Sequence, residues 1–228
     1  GGSEAGSVNG SSITSTVSAS TTNVIVNKGI INNVFGGGQG SESETPYVFG
    51  NIFVTVNDGT INNVFGGNDK SGKPNGDITV TINGGQINST YGGGNETGAN
   101  TTNVYLNGGV STKIFGGSNL LGEVTTSNVI TTGGESSLVY GGNNKGGTTN
   151  TTNITINDGN IATVYGGGDE TSVLDSTNVL INNNVSTIFG GSNKLGDIPL
   201  SNITVNNGNT NNIYGGNNEG GLTSVSKI

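Results

Sequence analysis

Residues 152–168 run TNITINDGNIATVYGGG, and their pattern returns along nearly the whole chain. Asn153, Thr155 and Asn157 alternate with Ile154 and Ile156. That period of two marks a short strand with one apolar face. Asn157-Asp158-Gly159 is turn-forming, because Asn and Gly adopt positive φ at little cost. A second short run ends at Val164-Tyr165. Gly-Gly then breaks it and permits a sharp corner.

An aromatic followed by Gly-Gly recurs at Phe35, Phe65, Tyr91, Phe115, Tyr140, Tyr165, Phe189 and Tyr214, with spacings of 30, 26, 24, 25, 25, 24 and 25 residues. Such periods come before any other feature of a sequence. Asn precedes the first apolar residue at Asn23, Asn103, Asn128, Asn153, Asn178 and Asn202, with Phe53 and Thr79 in the two irregular copies. Asn follows the second apolar residue at Asn27, Asn57, Asn83, Asn107, Asn157, Asn182 and Asn206, with Thr132 standing in once. The residues after Gly-Gly come in three kinds. Gly94-Asn95-Glu96-Thr97 matches Gly168-Asp169-Glu170-Thr171, Ser118-Asn119 matches Ser192-Asn193, and Asn143-Asn144 matches Asn217-Asn218, each pair 74 residues apart. Duplication of a three-copy block explains this, and it suits a fibre or stalk of adjustable length.

One copy cannot bury its apolar residues alone, but stacked copies can. The fold expected is all-β: a single parallel β-solenoid, in the form of a right-handed β-helix, with about eight coils of about 25 residues and almost no helix. At roughly 4.8 Å per rung, eight coils give a rod of roughly 38 Å. Residues 22–228 form the repeat domain, and 1–21 an irregular N-terminal segment or cap. A left-handed hexapeptide helix needs a period divisible by six, and a propeller blade needs about 40 residues. In a stack, Val and Ile columns bury apolar area, aromatic columns stack offset, and Asn columns hydrogen-bond amide to amide. Strict alternation points the Asn columns to the side opposite the Val/Ile columns, whereas a buried amide ladder calls for the inside. The pattern leaves their facing open.

Composition narrows the chemistry. The 228 residues carry a net charge of −8, are 29% hydrophobic and include 44 Gly. Cys, Met, Trp and His are absent, and all seven basic residues are Lys. Without Cys there is no disulfide framework or thiolate metal site. Without His there is no Ser-His-Asp triad, and without Arg no bidentate anion fork. An acidic chain with scattered Lys is not expected to bind nucleic acid. No run of 18 apolar residues occurs, so no membrane insertion is expected. The small, polar start, Gly1-Gly2-Ser3-Glu4-Ala5-Gly6-Ser7, reads as a linker or the start of a fragment.

Copies such as Thr152-Asn153-Ile154-Thr155-Ile156-Asn157-Asp158-Gly159 followed by Val164-Tyr165-Gly166-Gly167-Gly168 resemble the Gly/Asn/Thr-rich solenoid repeats of secreted bacterial surface proteins and adhesins. Phage tail fibres carry similar segments. The resemblance is one of repeat style. It implies an extracellular place on a bacterial surface or phage particle and a role in display, reach and adhesion. It carries over no functional residue.

Several sets of residues bear on chemistry. β-Helices host polysaccharide hydrolases and lyases, so paired carboxylates come first: Asp69, Asp77, Asp158, Asp169, Glu170 and Asp175. A glycosidase sets two of them about 5–9 Å apart across a cleft. Asp69, Asn75 and Asp77 lie in an oxygen-rich stretch that is the candidate for calcium. No other cofactor is expected. The first, 30-residue spacing brings Tyr47 and Phe49 near Glu42 and Glu44, a candidate glycan contact through ring stacking. The column Ile25, Thr55, Thr81, Tyr105, Ile130, Thr155, Leu180, Thr204 is half Thr, the feature an ice-binding face requires. The expected function is a non-enzymatic structural or adhesive solenoid, with partners reached through its ends or through glycan and protein ligands. A carbohydrate-active enzyme and an ice-binding solenoid are the alternatives.

Overall fold

The computed structural model describes residues 21–228 together with the strand Ser7–Val8. The expected segment 1–21 otherwise lies outside the described residues. Ser7–Val8 pairs in parallel with Tyr47–Val48 in a separate small sheet. The described residues contain strands and no helix, wound into a parallel β-solenoid of about seven turns. Eight aromatic landmarks bound seven full turns, so the rod is roughly 34 Å long at the rung spacing.

Within the solenoid every strand pairing among the described residues is parallel and joins residues one coil apart. In the first sheet Val24, Val54, Val80, Val104, Val129, Ile154, Val179 and Ile203 stand one above another. In the second, Val34, Val64, Thr90, Ile114, Val139, Val164, Ile188 and Ile213 do the same. The strands Glu123–Tyr140 and Thr148–Tyr165 run on from one sheet to the other. The inward Val and Ile residues meet between the sheets in one core. The N-x-G turn that joins the sheets takes positive φ at its Gly, as at Gly109 (69°) and Gly159 (109°).

The Gly-Gly corner has a different cause from the one its sequence implies. Neither Gly166 nor Gly141 has a positive φ. A Cβ on Gly141 would lie 2.2 Å from the carbonyl oxygen of Gly166 in the next coil, and one on Gly166 2.3 Å from that of Gly190. Coil backbones pass too closely here for any side chain. The close approach keeps the ladder running round the corner, with Gly141 N–H donating to Tyr165 O (3.0 Å) and Gly142 N–H to Gly167 O (3.0 Å).

Inside the corner, Thr102, Ser127, Thr152 and Thr177 are fully buried. Each hydroxyl donates across the coil to a corner carbonyl, those of Gly116, Gly141, Gly166 and Gly190, at 2.5–2.6 Å. Buried hydroxyls need such partners. In earlier coils Ile52 and Ile78 take this position and fill it with methyl groups instead.

The three-coil period also has a physical cause. The residue after Gly-Gly cycles through Asn, Gly and Ser: Asn68, Gly94, Ser118, Asn143, Gly168, Ser192, Asn217. The buried Asn143 amide reaches out of its own coil. Its Oδ1 accepts from Ser118 N–H (2.8 Å), and its Nδ2 donates to Gly122 O (2.8 Å) and Gly146 O (3.0 Å). Asn217 repeats this with Ser192 and Gly196. On the other side Gly168 leaves no space, since its Cβ would meet Thr171 Oγ1 at 2.1 Å and Asn143 O at 2.3 Å. The amide, the serine that donates to it and the crowded glycine therefore recur together every three coils.

Candidate functional site: the outer face and the loop edge

The outer face of the first sheet carries three columns. The residues flanking each inward pair, such as Asn153, Thr155 and Asn157 around Ile154 and Ile156, are half-buried or exposed while the pair is buried. Alternation therefore decides the facing, and the Asn columns lie outside. Ladders form there all the same. Asn128, Asn153, Asn178 and Asn202 each donate Nδ2–H to the Oδ1 one coil back, at 2.9–3.0 Å. In the other column Asn57, Asn83 and Asn107 do the same at 2.8–3.1 Å, beginning from Asn27. Thr132 donates its hydroxyl to Asn107 Oδ1 (2.8 Å). A register shift then pairs Thr132 with Asp158 and sets Asn157 out of line. The ladder resumes from Asn157 through Asn182 and Asn206.

The aromatic column forms a second apolar cluster, apart from the main core. Its eight rings stack with centroids 4.5–5.1 Å apart and planes within 5–11°. Coil spacing imposes this distance, and offset stacking is favourable there.

Beside the rings runs a third polar ladder, four residues after each aromatic. Asn95 donates to Asp69, Asn119 to Asn95 and Asn144 to Asn119, at 2.7–2.9 Å. Asp169 comes next, and a carboxylate has no N–H to give. The ladder stops at Asn144 and restarts from Asp169, which accepts from Asn193 (2.6 Å); Asn218 then donates to Asn193 (2.9 Å). The buried Asp169 also takes Lys194 Nζ at 2.9 Å, and Glu170 takes the same Nζ at 2.9 Å. Both carboxylates hold the Lys194 ammonium well above the usual lysine range. Lys194 is half exposed, so these pairs add little stability. Its column runs Lys70, Glu96, Leu120, Lys145, Glu170, Lys194, Glu219 in register. Where charges neighbour each other, their signs alternate up the rod, which avoids stacking like charges.

The tyrosines of the stack sense this edge. Burial pushes the Tyr140 hydroxyl well above its usual range, the Asp169 charge adds to this, and the Asn193 amide opposes it. Burial also raises Tyr165, helped by Asp169 and Glu219. Tyr91 is raised by burial against opposing hydrogen bonds from Ser89 and Asn144. The fold thus favours the neutral phenol. Its contribution is whole below the unfolded value near pH 10 and is lost as pH rises towards the folded one. Urea unfolding in the alkaline range is expected to show stability falling above about pH 10. The fall is shallower in Tyr140→Phe, and an identical fall in that variant would contradict the assignment.

The other candidate residues are placed separately. Asp158 closes its own turn, accepting from Gly159 N–H (2.8 Å), as Asp58 does for Gly59. Asp175 accepts from Thr151 Oγ1 (3.1 Å). Asp69 starts the loop ladder, while the Asp77 backbone pairs with Asn51 Oδ1 and Ile52 N–H at a strand start. Asn75 pairs by backbone with Val48 and Asn100. Among the described residues no three acidic side chains gather as a metal-binding group. Asp169 and Glu170 are the two carboxylates brought together, and Lys194 lies between them. Tyr47 and Phe49 stack on each other at 5.9 Å, with Tyr47 39% exposed. Glu42 lines an open hollow of about 650 Å³ with Lys70 and Glu96, and neither ring borders it.

Two columns escaped sequence reasoning: the loop ladder and the buried hydroxyls. Each had a signal, a polar residue four after every aromatic and a Ser or Thr before Asn at the strand start. Compared with protein-family models, curated proteins and solved structures, the chain matches none.

Proposed function

We propose that the chain is a non-enzymatic structural and adhesive solenoid: a stalk, adhesin or fibre segment outside a bacterial cell or on a phage particle. The observation that carries this reading is the use made of the polar side chains. The acids and amides that look most like chemistry are employed in holding coil to coil, Asp169 included. That arrangement favours a rod over a reaction centre. Resemblance to the repeats of bacterial surface proteins supports the same setting.

Such rods stack end to end in this reading. The strands Asn212–Tyr214 and Thr223–Lys227 each pair on one side, and Tyr214 and Ile228 are 48% and 73% exposed. A further coil, from continuing chain or from another copy, would complete both sheets and extend the ring stack. The test is sedimentation and negative-stain electron microscopy across a concentration series. Fibres that lengthen with concentration are expected. Short single rods at every concentration would overturn end-to-end stacking.

A further inference from the structure

The outer face of the first sheet differs from the rest of this acidic molecule in one respect. None of its three columns, counted by position from Asn23–Asn27 to Asn202–Asn206, holds a charged residue, and the register shift sets Asp158 beside Thr132 at one margin. Acids and lysines sit instead on the loop edge, in the turns, on the second sheet, as at Lys113 and Glu135, and near the strand starts, as at Asp175. Columns of amides, hydroxyls, aliphatic groups and the rings of Phe53 and Tyr105 repel neither neutral nor apolar matter, and they offer little counter-charge to an anion or cation.

Its middle column adds a pattern. Ile130, Thr155, Leu180 and Thr204 alternate aliphatic and hydroxyl from rung to rung. Thr155 and Leu180 are only partly covered, and Thr204 is exposed. Around Leu180 the face sinks into a shallow hollow of about 340 Å³, bordered by Asn153, Asn178 and Asn202 on one side and by Thr155 and Thr204 along the column. The amides in this border are already held by one another, Asn178 to Asn153 at 3.0 Å and Asn202 to Asn178 at 2.9 Å. They are therefore fixed in place before any ligand arrives, which lowers the ordering cost of binding.

From this geometry we infer that the outer face binds an uncharged, extended β-linked hexose chain lying along the rod axis. The inference rests on the adhesive reading above and names its ligand. An extended β-1,4-linked chain advances slightly more than one rung of roughly 4.8 Å per ring, and successive rings are flipped. Its two-ring repeat therefore matches the two-rung alternation of the column. The rings lie with C–H faces on the column, an aliphatic side chain under every second one, and flipping brings the same hydroxyl edge to a given side at every second rung. The spare lone pairs of the amide ladder accept from ring hydroxyls along one side. A polyuronate finds no cation on this face and is repelled by the molecule's net charge of −8.

The test is calorimetric titration of the intact chain with cello- and chito-hexaose, with oligogalacturonate as the charged control. Both variants are first checked for native melting. Binding of a neutral hexasaccharide is expected, without binding of the oligogalacturonate. Thr155→Glu is expected to weaken it roughly tenfold or more, and Tyr47→Ser is expected to leave it unchanged. Melting of Thr155→Glu should be close to that of the parent, since this column already accepts Tyr, Ile and Leu. If Thr155→Glu fails to fold, Thr204→Lys, nearer the end of the stack, takes its place. Three results would overturn the inference: no neutral oligosaccharide bound, equal binding by the Thr155→Glu variant, or loss of binding in Tyr47→Ser alone. Thermal hysteresis without oligosaccharide binding would overturn it in favour of ordered water. If the rods assemble but no sugar binds, this inference falls and the structural reading stands. If sugar binds but no assembly forms, end-to-end stacking falls alone.

Discussion

Gly141→Ala is expected to cost about 3 kcal/mol or more and to split the unfolding transition in two. The added methyl would lie 2.2 Å from Gly166 O and 2.8 Å from Thr152 Cβ. Neither neighbour is the free end of a flexible side chain. Gly166 O accepts from Thr152 Oγ1 (2.6 Å) within the corner, so moving it breaks a second bond. A solenoid is stabilised by contacts between successive units, and a defect in the middle uncouples the two halves. Gly216→Ala is the matched control. Its Cβ would come no closer than 3.3 Å, to Thr223 Oγ1, and an effect within about 0.5 kcal/mol is expected. Chemical denaturation followed by circular dichroism reads both. Equal effects at the two positions would show that the Gly-Gly corner is not governed by close approach.

Phe115→Ala is expected to cost roughly 3–5 kcal/mol. Phe115 is 2% exposed, and its ring lies 5.1 Å from Tyr91 and 4.5 Å from Tyr140. Removing it leaves a gap one coil high, and neighbouring coils cannot close that gap while their backbones remain hydrogen-bonded. Both flanking rings lose a stacked partner. Phe115→Tyr should cost less than about 1.5 kcal/mol, because tyrosine already occupies both neighbouring positions of the column. Tyr214→Ala makes the comparison along the rod. That ring is 48% exposed with Phe189 as its stacked neighbour, and about 1 kcal/mol is expected. A cost for Phe115→Ala well above those of both Tyr214→Ala and Phe115→Tyr is the signature of a stacked column. A flat series would contradict it.

The elements legible in the sequence are those that depend on one coil alone. Val-x-Val strands, the Asn-x-Gly turn with Gly159 at positive φ, and the register of the aromatics all follow from local pattern plus repetition. What depends on the neighbouring coil was harder to read. Gly-Gly looks like conformational freedom until the carbonyl of the next coil is in place, and then it is a matter of space. The facing of the Asn columns was undecided because ladder formation was tied to burial. Asn128, Asn153 and Asn178 need only coil-to-coil spacing, since each amide brings its partner with it. Asp169 reads in the sequence as one half of a carboxylate pair. Its place as the acceptor that restarts an amide ladder appears only when Asn193 is seen one coil on. Of the candidate face, the scarcity of charge is present in the sequence, but the hollow at Leu180 requires the fold.

Hydrogen exchange followed by mass spectrometry tests the stacked-coil account most directly. Backbone pairing between coils predicts slow exchange throughout the strands from residues 78 to 205, nearly equal from coil to coil. Protection should decline over residues 206–228, where strands pair on one side. Rapid exchange in the central coils, at Val104, Val129 and Ile154, would contradict it.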